Sequence, residues 1–178
     1  AVIRRKRYTY KRHKPLHIAE NILNREFQKD YQSMEVLLTD VTEFKYGQHS
    51  KAYLSAILDY GSNKIVAFKL SKHNNNALVR DTVRQIEDDL VPTHTLLHSD
   101  RGFQYTSHGF RNFVKKHQLT HSMSRVGKCI DNGPMENFWG IIKEEMYRLK
   151  TYTSFEELTH DIKRYIDFYN TRRVTLKM

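Results

Sequence analysis

The stretch that decides the fold covers residues 94–136 and reads HTLLHSDRGFQYTSHGFRNFVKKHQLTHSMSRVGKCIDNGPME. It opens as a short apolar strand that runs into Asp100, and it closes as a helix that carries Glu136 on its first turn. Upstream, a second apolar strand over 34–40 runs into Asp40. Two acidic residues near strand ends and a third at a helix start are therefore the first candidates for a shared site.

The chemistry of carboxylates explains why such a set is worth pursuing. Magnesium prefers oxygen ligands in near-octahedral geometry and keeps several of its water molecules. Two such ions about 4 Å apart can activate an attacking oxygen and stabilise a leaving one in phosphoryl transfer. Without metal, carboxylates about 4 Å apart repel by roughly 4 kcal/mol per pair at an effective dielectric constant of 20. A cluster of three carboxylates would therefore destabilise the fold on its own, whereas a bound metal ion would stabilise it.

Each carboxylate also has a purely structural interpretation. Asp40 could start a turn, and Asp100 could close a strand-end turn or pair with Arg101. Glu136 could bond back to the helix cap, with Gly133 as the cap and Glu136 as the third helical residue. The apolar residues that form the predicted buried stripe of this helix are Met135, Phe138, Trp139, Ile142, Met146 and Leu149. Glu136 lies beside that stripe, which places it at the edge of the core.

Two further residues near the carboxylates are predicted to be structural. His98 would share a strand face with Asp100, but a packed, hydrogen-bonded histidine explains it better than a metal ligand. Trp139 is assigned to the core rather than to base stacking.

Composition bounds the class of protein. The 178 residues suffice for one domain with a real core. A net charge of +10, from 30 Lys and Arg against 20 Asp and Glu, predicts a polyanionic partner, nucleic acid before membrane. The single cysteine, Cys129, excludes an internal disulfide and a multi-cysteine zinc module. Neither a signal peptide nor an apolar run of about 18 residues is visible, so we expect no membrane partner and a cytoplasmic location.

The N-terminal region differs from the rest. Residues 1–14 hold seven Lys and Arg interleaved with tyrosines and show no apolar period. This stretch is either an arm that orders on a phosphate backbone or an ordinary solvated linker. Near-helical apolar spacing over 15–31 predicts a lead-in helix, which gives an arm and helix over 1–30 and a core over 31–178. The arm residues nominated for DNA contact are Arg4, Arg5, Lys6 and Arg7.

The hydrophobic pattern predicts alternating strands and helices through the core. The predicted strands cover 34–40, 52–59, 64–70, 94–99 and 119–123. The predicted helices run from 75 or 76 to about 90, after Ser107, from 134 to about 150, and from 153 or 154 onward. Short connections make the first three strands an antiparallel meander.

Three motifs in this pattern carry a family resemblance. TDVTEF at 39–44, HSDRGFQY at 98–105 and DNGPMENFW at 131–139 together resemble the integrase core of bacterial insertion-sequence transposases, in the retroviral-integrase-like superfamily. The resemblance implies an α/β ribonuclease H-like fold, a five-stranded mixed sheet flanked by helices. It also implies that Asp40, Asp100 and Glu136 are catalytic and bind two Mg²⁺ ions, with Mn²⁺ as a substitute. By resemblance, the first two carboxylates hold one ion, and Asp40 with Glu136 holds the other.

The implied activity is that of a transposase. Such an enzyme cleaves double-stranded DNA at the element's ends and transfers the freed 3′ hydroxyl to target DNA. The resemblance further implies a homo-oligomer on DNA, an upstream helix-turn-helix module, and a place on the nucleoid in the bacterial cytoplasm. Two alternatives stay open: a ribonuclease H-like nuclease without strand transfer, and a DNA-binding fragment without activity.

Several basic residues are candidate DNA contacts. Lys143 lies seven residues, or two helical turns, after Glu136, where similar integrases place a basic residue near the scissile phosphate. The alternative interpretation is that Lys143 is an ordinary solvent-exposed lysine without a role in DNA binding. Arg125 and Lys128, in a loop without periodicity, and Arg101, after Asp100, are candidate backbone contacts.

Overall fold

The computed structural model describes residues 17–125 and 129–174. Five strands form one mixed sheet in the order β3-β2-β1-β4-β5. The strands are β1 Val36–Tyr46, β2 Ser50–Asp59, β3 Lys64–Ser71, β4 Leu96–Ser99 and β5 Thr120–Met123. The helices are α1 Asn76–Val83, α2 His108–Lys116, α3 Gly133–Glu145 and α4 Phe155–Thr171. Short 3₁₀ segments cover Arg84–Asp89, Cys129–Asn132 and Tyr147–Leu149. This architecture confirms the predicted fold class.

The pairing of β1 decides where the sheet changes direction. On one side β1 pairs antiparallel with β2 along nearly its whole length, from Leu37 opposite Asp59 to Tyr46 opposite Ser50. On the other side it pairs parallel with the short strand β4, and that pairing stops at Thr39. The meander of the first three strands is confirmed, and the second half of β1 continues beyond the end of β4.

Alternation along β1 sends side chains into two separate cores. Val36, Leu38 and Phe44 lie in a cluster with the apolar residues of α3 and α4. Leu37 lies in the opposite cluster, with residues of α1 and α2. Because successive strand residues point to opposite faces, Asp40 belongs to the face covered by α3 and α4. The sheet is thus the middle layer of three.

Local capping chemistry sets three helix starts where the sequence predicts them. Asn75, Ser107 and Ser154 each accept a hydrogen bond from a backbone N–H of the first turn. The predicted helix to residue 90 is correct only in part, because α-helical geometry ends at Val83 and a 3₁₀ segment continues the chain. Helix α3 also ends early, so Leu149 is 76% exposed rather than buried.

The predicted lead-in helix is wrong for the residues that the structure describes, since 17–31 forms turns and bends. Asn24 and Arg25 adopt positive φ angles of 42° and 62°, which a right-handed helix does not allow. The backbone N–H groups of Ile22 and Leu23 donate to the Ser122 hydroxyl instead of to a helical turn. The arm over 1–14 lies outside the described residues. Along 17–125 and 129–174, no helix is long and apolar enough to cross a bilayer.

One buried carboxylate, Asp131, fixes this N-terminal segment against the start of α3. Its side chain is 0% exposed and accepts from Asn21 at 3.0 Å and from Arg25 at 2.6 Å. The guanidinium of Arg125 donates to both carboxylate oxygens at 2.9 Å. These bonds stabilise the ionised form and hold the pKa of Asp131 well below its usual range.

We predict that Asp131→Asn lowers the free energy of unfolding at pH 7 by about 1–3 kcal/mol, because the arginine partners are half-exposed and water compensates part of the loss. A depressed carboxyl pKa contributes stability above about pH 4 that is lost as the pH falls further. The difference from wild type should therefore shrink in acid. Urea unfolding from pH 3 to 7 measures this effect. Asp81→Asn, which breaks an exposed contact to Arg80, is the control and should change little.

Candidate active site

The end of the β1–β4 pairing brings two of the predicted carboxylates together. Thr39 lies opposite Ser99 in the last parallel pair, so Asp40 and Asp100 are the next residues on adjacent chains. Asp40 does not end its strand, as the sequence predicted, but lies in the middle of β1, opposite Ala56 of β2. Pairing with β2 keeps the strand regular beyond Asp40, whereas β4 has already ended.

Burial and like charge perturb Asp40 strongly. Desolvation raises the pKa of its carboxyl to about 6, and the neighbouring charges of Asp100 and, more weakly, Glu136 add to the increase. Hydrogen bonds from the Val41 backbone and the Trp139 side chain oppose it. Asp40 thus senses Asp100 more strongly than it senses Glu136.

A glycine holds Asp100 in place. Oδ1 of Asp100 accepts from the backbone N–H of Gly102 at 2.7 Å, and this bond opposes the increase in pKa that burial causes. A Cβ atom at position 102 would lie 2.8 Å from that oxygen and 3.0 Å from Oε1 of Gln104. A side chain at position 102 would therefore displace the Asp100 carboxylate and the Gln104 amide from these positions. Arg101 donates instead to the Ser124 carbonyl, at 2.9 Å.

Glu136 lies on the first turn of α3 and is exposed. Asn132, not Gly133, is the N-cap residue, and its side chain makes no capping hydrogen bond. The capping-box position is the third helical residue, which is Met135, so Glu136 lies one position beyond it. This shift removes the strongest structural interpretation of Glu136.

Trp139 is a residue whose contact with the site the sequence did not reveal. It is 6% exposed, as a core residue should be, and its indole N–H donates to Oδ2 of Asp40 at 2.9 Å. A buried tryptophan needs an acceptor for its N–H, and this requirement was the available signal. The partner could not be identified without the packing of α3 on β1.

Lys143 also faces β1. Its Nζ donates to the Thr42 hydroxyl at 2.7 Å and lies 5.6 Å from the centroid of the Phe44 ring. Burial lowers the pKa of this lysine, and the charge of Asp40 opposes the decrease. The solvated alternative is therefore wrong. Thr42 is two residues beyond Asp40 on the same face of the strand, so the ammonium group borders the carboxylate pair.

The other nominated residues have different positions. The Arg125 side chain pairs with Asp131, although 48% of it stays exposed. Lys128 and the arm residues Arg4, Arg5, Lys6 and Arg7 lie outside the described residues. His98 is a hydrogen-bonded core residue, as predicted, with its ring nitrogens 2.9 Å from the Ser122 hydroxyl and 3.1 Å from that of Ser124. Burial lowers its pKa to about 4, so the ring is neutral at pH 7.

The side chains around Asp40 offer the oxygen atoms that a hard divalent cation binds, but they are not arranged closely around one point. Within the described ranges, no three side chains of His, Cys, Asp or Glu are close enough together to hold a metal ion. Asp40 and Asp100 converge with raised pKa values, and Glu136 is on the next element. An additional buried oxygen, Oδ1 of Asn132 at the start of the helix that carries Glu136, has no hydrogen-bond partner among the described residues. All four groups present oxygen atoms, the ligand type that magnesium takes.

We predict that Asp40→Asn stabilises the metal-free protein at pH 8. A raised carboxyl pKa means that the folded state favours the neutral form, so stability present near pH 4 is lost as the pH rises through about 6. The asparagine stays neutral, and the increase in unfolding free energy should be about 2 kcal/mol at pH 8, vanishing near pH 4. Urea unfolding in a chelator measures it. Asp161→Asn, which removes a partner of Lys150, should destabilise. Equal stability of Asp40→Asn and wild type at pH 8 would contradict the prediction.

Comparisons with known proteins give the family. A family model described as Integrase core domain matches residues 30–129, and a second of that description matches residues 117–174. The chain is 37% identical over 179 residues to the putative transposase InsK for insertion sequence element IS150 of Escherichia coli (strain K12). It is 38% identical over 162 residues to an uncharacterized transposase-like protein of Haemophilus influenzae. These matches cover 100% and 91% of this chain, but only 62% and 74% of the two relatives.

Solved structures agree on the fold. The HTLV-2 integrase catalytic core domain in complex with magnesium has a TM-score of 0.61 at 19% identity, covering 84% of this chain and 95% of that one. A chain from the structure of the simian T-cell lymphotropic virus intasome in complex with PP2A regulatory subunit B56 gamma has a TM-score of 0.68 at 16% identity, covering 90% of this chain and 53% of that one. These findings confirm the resemblance that the motifs carried. The chain belongs to the integrase core domain family, as insertion-sequence transposases do.

Proposed function

We propose that this chain is the catalytic core of an insertion-sequence transposase that cleaves DNA at the element's ends and joins them to target DNA with divalent metal. The observation that carries the proposal is the adjacency of Asp40 and Asp100 where β4 ends, with Glu136 on the first turn of the helix that packs on the same face of the sheet. Two partly buried carboxylates with raised pKa values destabilise the folded protein when they are ionised. Such unfavourable groups are typical of functional sites.

Each residue has a role in this proposal. Asp40, Asp100 and Glu136 would hold Mg²⁺, with Mn²⁺ as a substitute and two ions in the full site. When bound, the metal activates the attacking oxygen and stabilises the leaving one. The N–H groups of Trp139 and Gly102 orient the two aspartates, each through one carboxylate oxygen. The Val41 backbone N–H is a further donor to Asp40.

The reaction runs in two displacements at phosphorus. A water oxygen attacks the phosphodiester at the element's end, and the bond from phosphorus to the 3′ oxygen breaks, which frees a 3′ hydroxyl. That hydroxyl then attacks a target phosphodiester and displaces its 3′ oxygen. Neither step forms a covalent bond to the protein, so no serine, tyrosine or cysteine nucleophile is needed.

The relatives' names support the proposal at a coarser level. InsK is called a transposase for an insertion sequence, and the HTLV-2 core is described in complex with magnesium. By analogy, the partners of this chain would be double-stranded DNA and further copies of itself, as in the intasome. An upstream helix-turn-helix module and a cytoplasmic place on the nucleoid belong to the same proposal.

A nuclease without strand transfer is the competing function. Both activities need the same carboxylates, so the site alone does not separate them. A pre-cut donor end supplied with target DNA separates them, because only a transposase forms joined products. Metal-dependent nicking separates both from a DNA-binding fragment without activity.

We predict that Asp40→Asn, Asp100→Asn and Glu136→Gln each reduce cleavage and joining by at least about a thousandfold while leaving DNA binding within about threefold of wild type. The substitutions keep the shape and remove the charge that holds metal. Gel assays with labelled element ends measure both steps. Glu144→Gln, an exposed acid on the same helix, is the control and should stay active. Full activity in one variant would remove that residue from the site.

A separate prediction concerns Lys143. An ammonium group donates to phosphate oxygens and cannot bind magnesium. Lys143→Ala should therefore weaken binding of element-end DNA about tenfold, reduce the slope of log affinity against log salt by about 1, and leave Mn²⁺ affinity unchanged. Lys143→Glu should bind DNA more weakly still.

The matched control is Lys116→Ala, because Lys116 is an exposed lysine that pairs with Glu87. Fluorescence anisotropy across a salt series and Mn²⁺ calorimetry give the two readouts. If Lys143→Ala and Lys116→Ala bind DNA equally well, Lys143 does not face the DNA.

A further inference from the structure

Asn132 is a buried polar residue with half of its hydrogen-bonding capacity unused. Its side chain lies at the junction of β1 and α3 and is 4% exposed. Nδ2 donates to the Thr39 carbonyl at 3.4 Å, a long bond. Oδ1 is buried and has no hydrogen-bond partner within the described part of the chain. An asparagine at a helix start usually caps the helix, but this side chain makes no capping bond.

Asn170 shows what a structural asparagine looks like in the same protein. Its Oδ1 accepts from the Ile65 N–H at 2.9 Å, and its Nδ2 donates to the Ile65 carbonyl at 2.9 Å. Both halves of that amide are satisfied by protein atoms. Asn132 therefore departs from the pattern, since a buried acceptor without a donor loses its hydration and receives nothing in return.

The orientation of the Asn132 amide is fixed by its neighbour. Exchanging Oδ1 and Nδ2 would place an acceptor against the Thr39 carbonyl, which is itself an acceptor. Oδ1 consequently remains the unpaired atom. Thr39 directly precedes Asp40 in β1, and Asn132 lies four residues, about one helical turn, before Glu136. The Asn132 amide thus lies where the two elements that carry these carboxylates meet.

We propose that Asn132 is a positioning residue of the metal centre, and that its Oδ1 accepts a hydrogen bond from a water molecule of the hydrated divalent cation. This inference rests on the metal site that the proposed function assigns to Asp40, Asp100 and Glu136. Magnesium keeps several water molecules when carboxylates bind it, and the protons of those waters need acceptors. Residues that orient a metal site in this way typically change metal affinity 10–100-fold when they are replaced.

The proposal separates stability from metal binding. In chelator, Asn132→Ala should melt within about 2 °C of wild type, because it removes one long bond together with one unsatisfied oxygen. With Mn²⁺, its dissociation constant by calorimetry should rise 10–100-fold, and its melting temperature should gain less from saturating metal than that of wild type. Asn132→Leu, similar in size and without polar side-chain atoms, should show the same weakened Mn²⁺ binding. Because it leaves no cavity, it separates the loss of the oxygen from the loss of packing.

Asn170→Ala is the matched control. It breaks two satisfied hydrogen bonds, so it should melt several degrees lower in chelator and keep the wild-type Mn²⁺ dissociation constant. If wild type binds Mn²⁺ and both Asn132 variants bind it equally well, the role of Asn132 is overturned while the metal site stands. If wild type binds no more Mn²⁺ than Asp40→Asn does, the metal site itself fails, and the role of Asn132 fails with it.

Discussion

The end of the parallel pairing between β1 and β4 is the constraint on which the site depends. Because the pairing stops at Thr39 and Ser99, two aspartates follow side by side on adjacent chains, one in a continuing strand and one in a turn. The antiparallel pairing with β2 keeps Asp40 rigid, and the approach of Gly102 keeps Asp100 turned inward. Helix α3 then packs on the same face of the sheet and adds Glu136, Trp139 and Lys143.

Placing two carboxylates side by side and partly buried is electrostatically unfavourable, and hydrogen bonds offset only part of this free energy. Burial raises the pKa values of both aspartates, and the charge of Asp100 adds to the increase at Asp40. Two N–H donors at Asp40 and one at Asp100 stabilise the ionised forms. Elsewhere the chain treats a buried acid differently, since two arginines and an amide surround Asp131. The charge of Asp131 is balanced by its arginine partners, and this residue fixes the fold. The charges of Asp40 and Asp100 have no such cationic partners among the described residues.

Local patterns predicted much of the fold. Strand alternation and the caps at Ser107 and Ser154 depend on neighbouring residues, so the meander and two helix starts could be placed from sequence. Interactions across long separations could not be placed. The extension of β1 beyond Asp40 comes from β2, the irregular course of 17–31 follows from bonds to Ser122, and the acceptor of the Trp139 N–H is 99 residues away. The three carboxylates were nominated from motif and resemblance, and their metal binding stays a prediction.

The contact between Trp139 and Asp40 has an optical consequence. Trp139 is the chain's one tryptophan, so ultraviolet excitation at its absorption edge reports on a single place in the molecule. Its indole N–H donates to the Asp40 carboxylate of the candidate site, and the emission of an indole responds to the charge and hydrogen bonding of its partner. The protein therefore carries an intrinsic fluorophore at the candidate site, without a label and without competition from a second tryptophan.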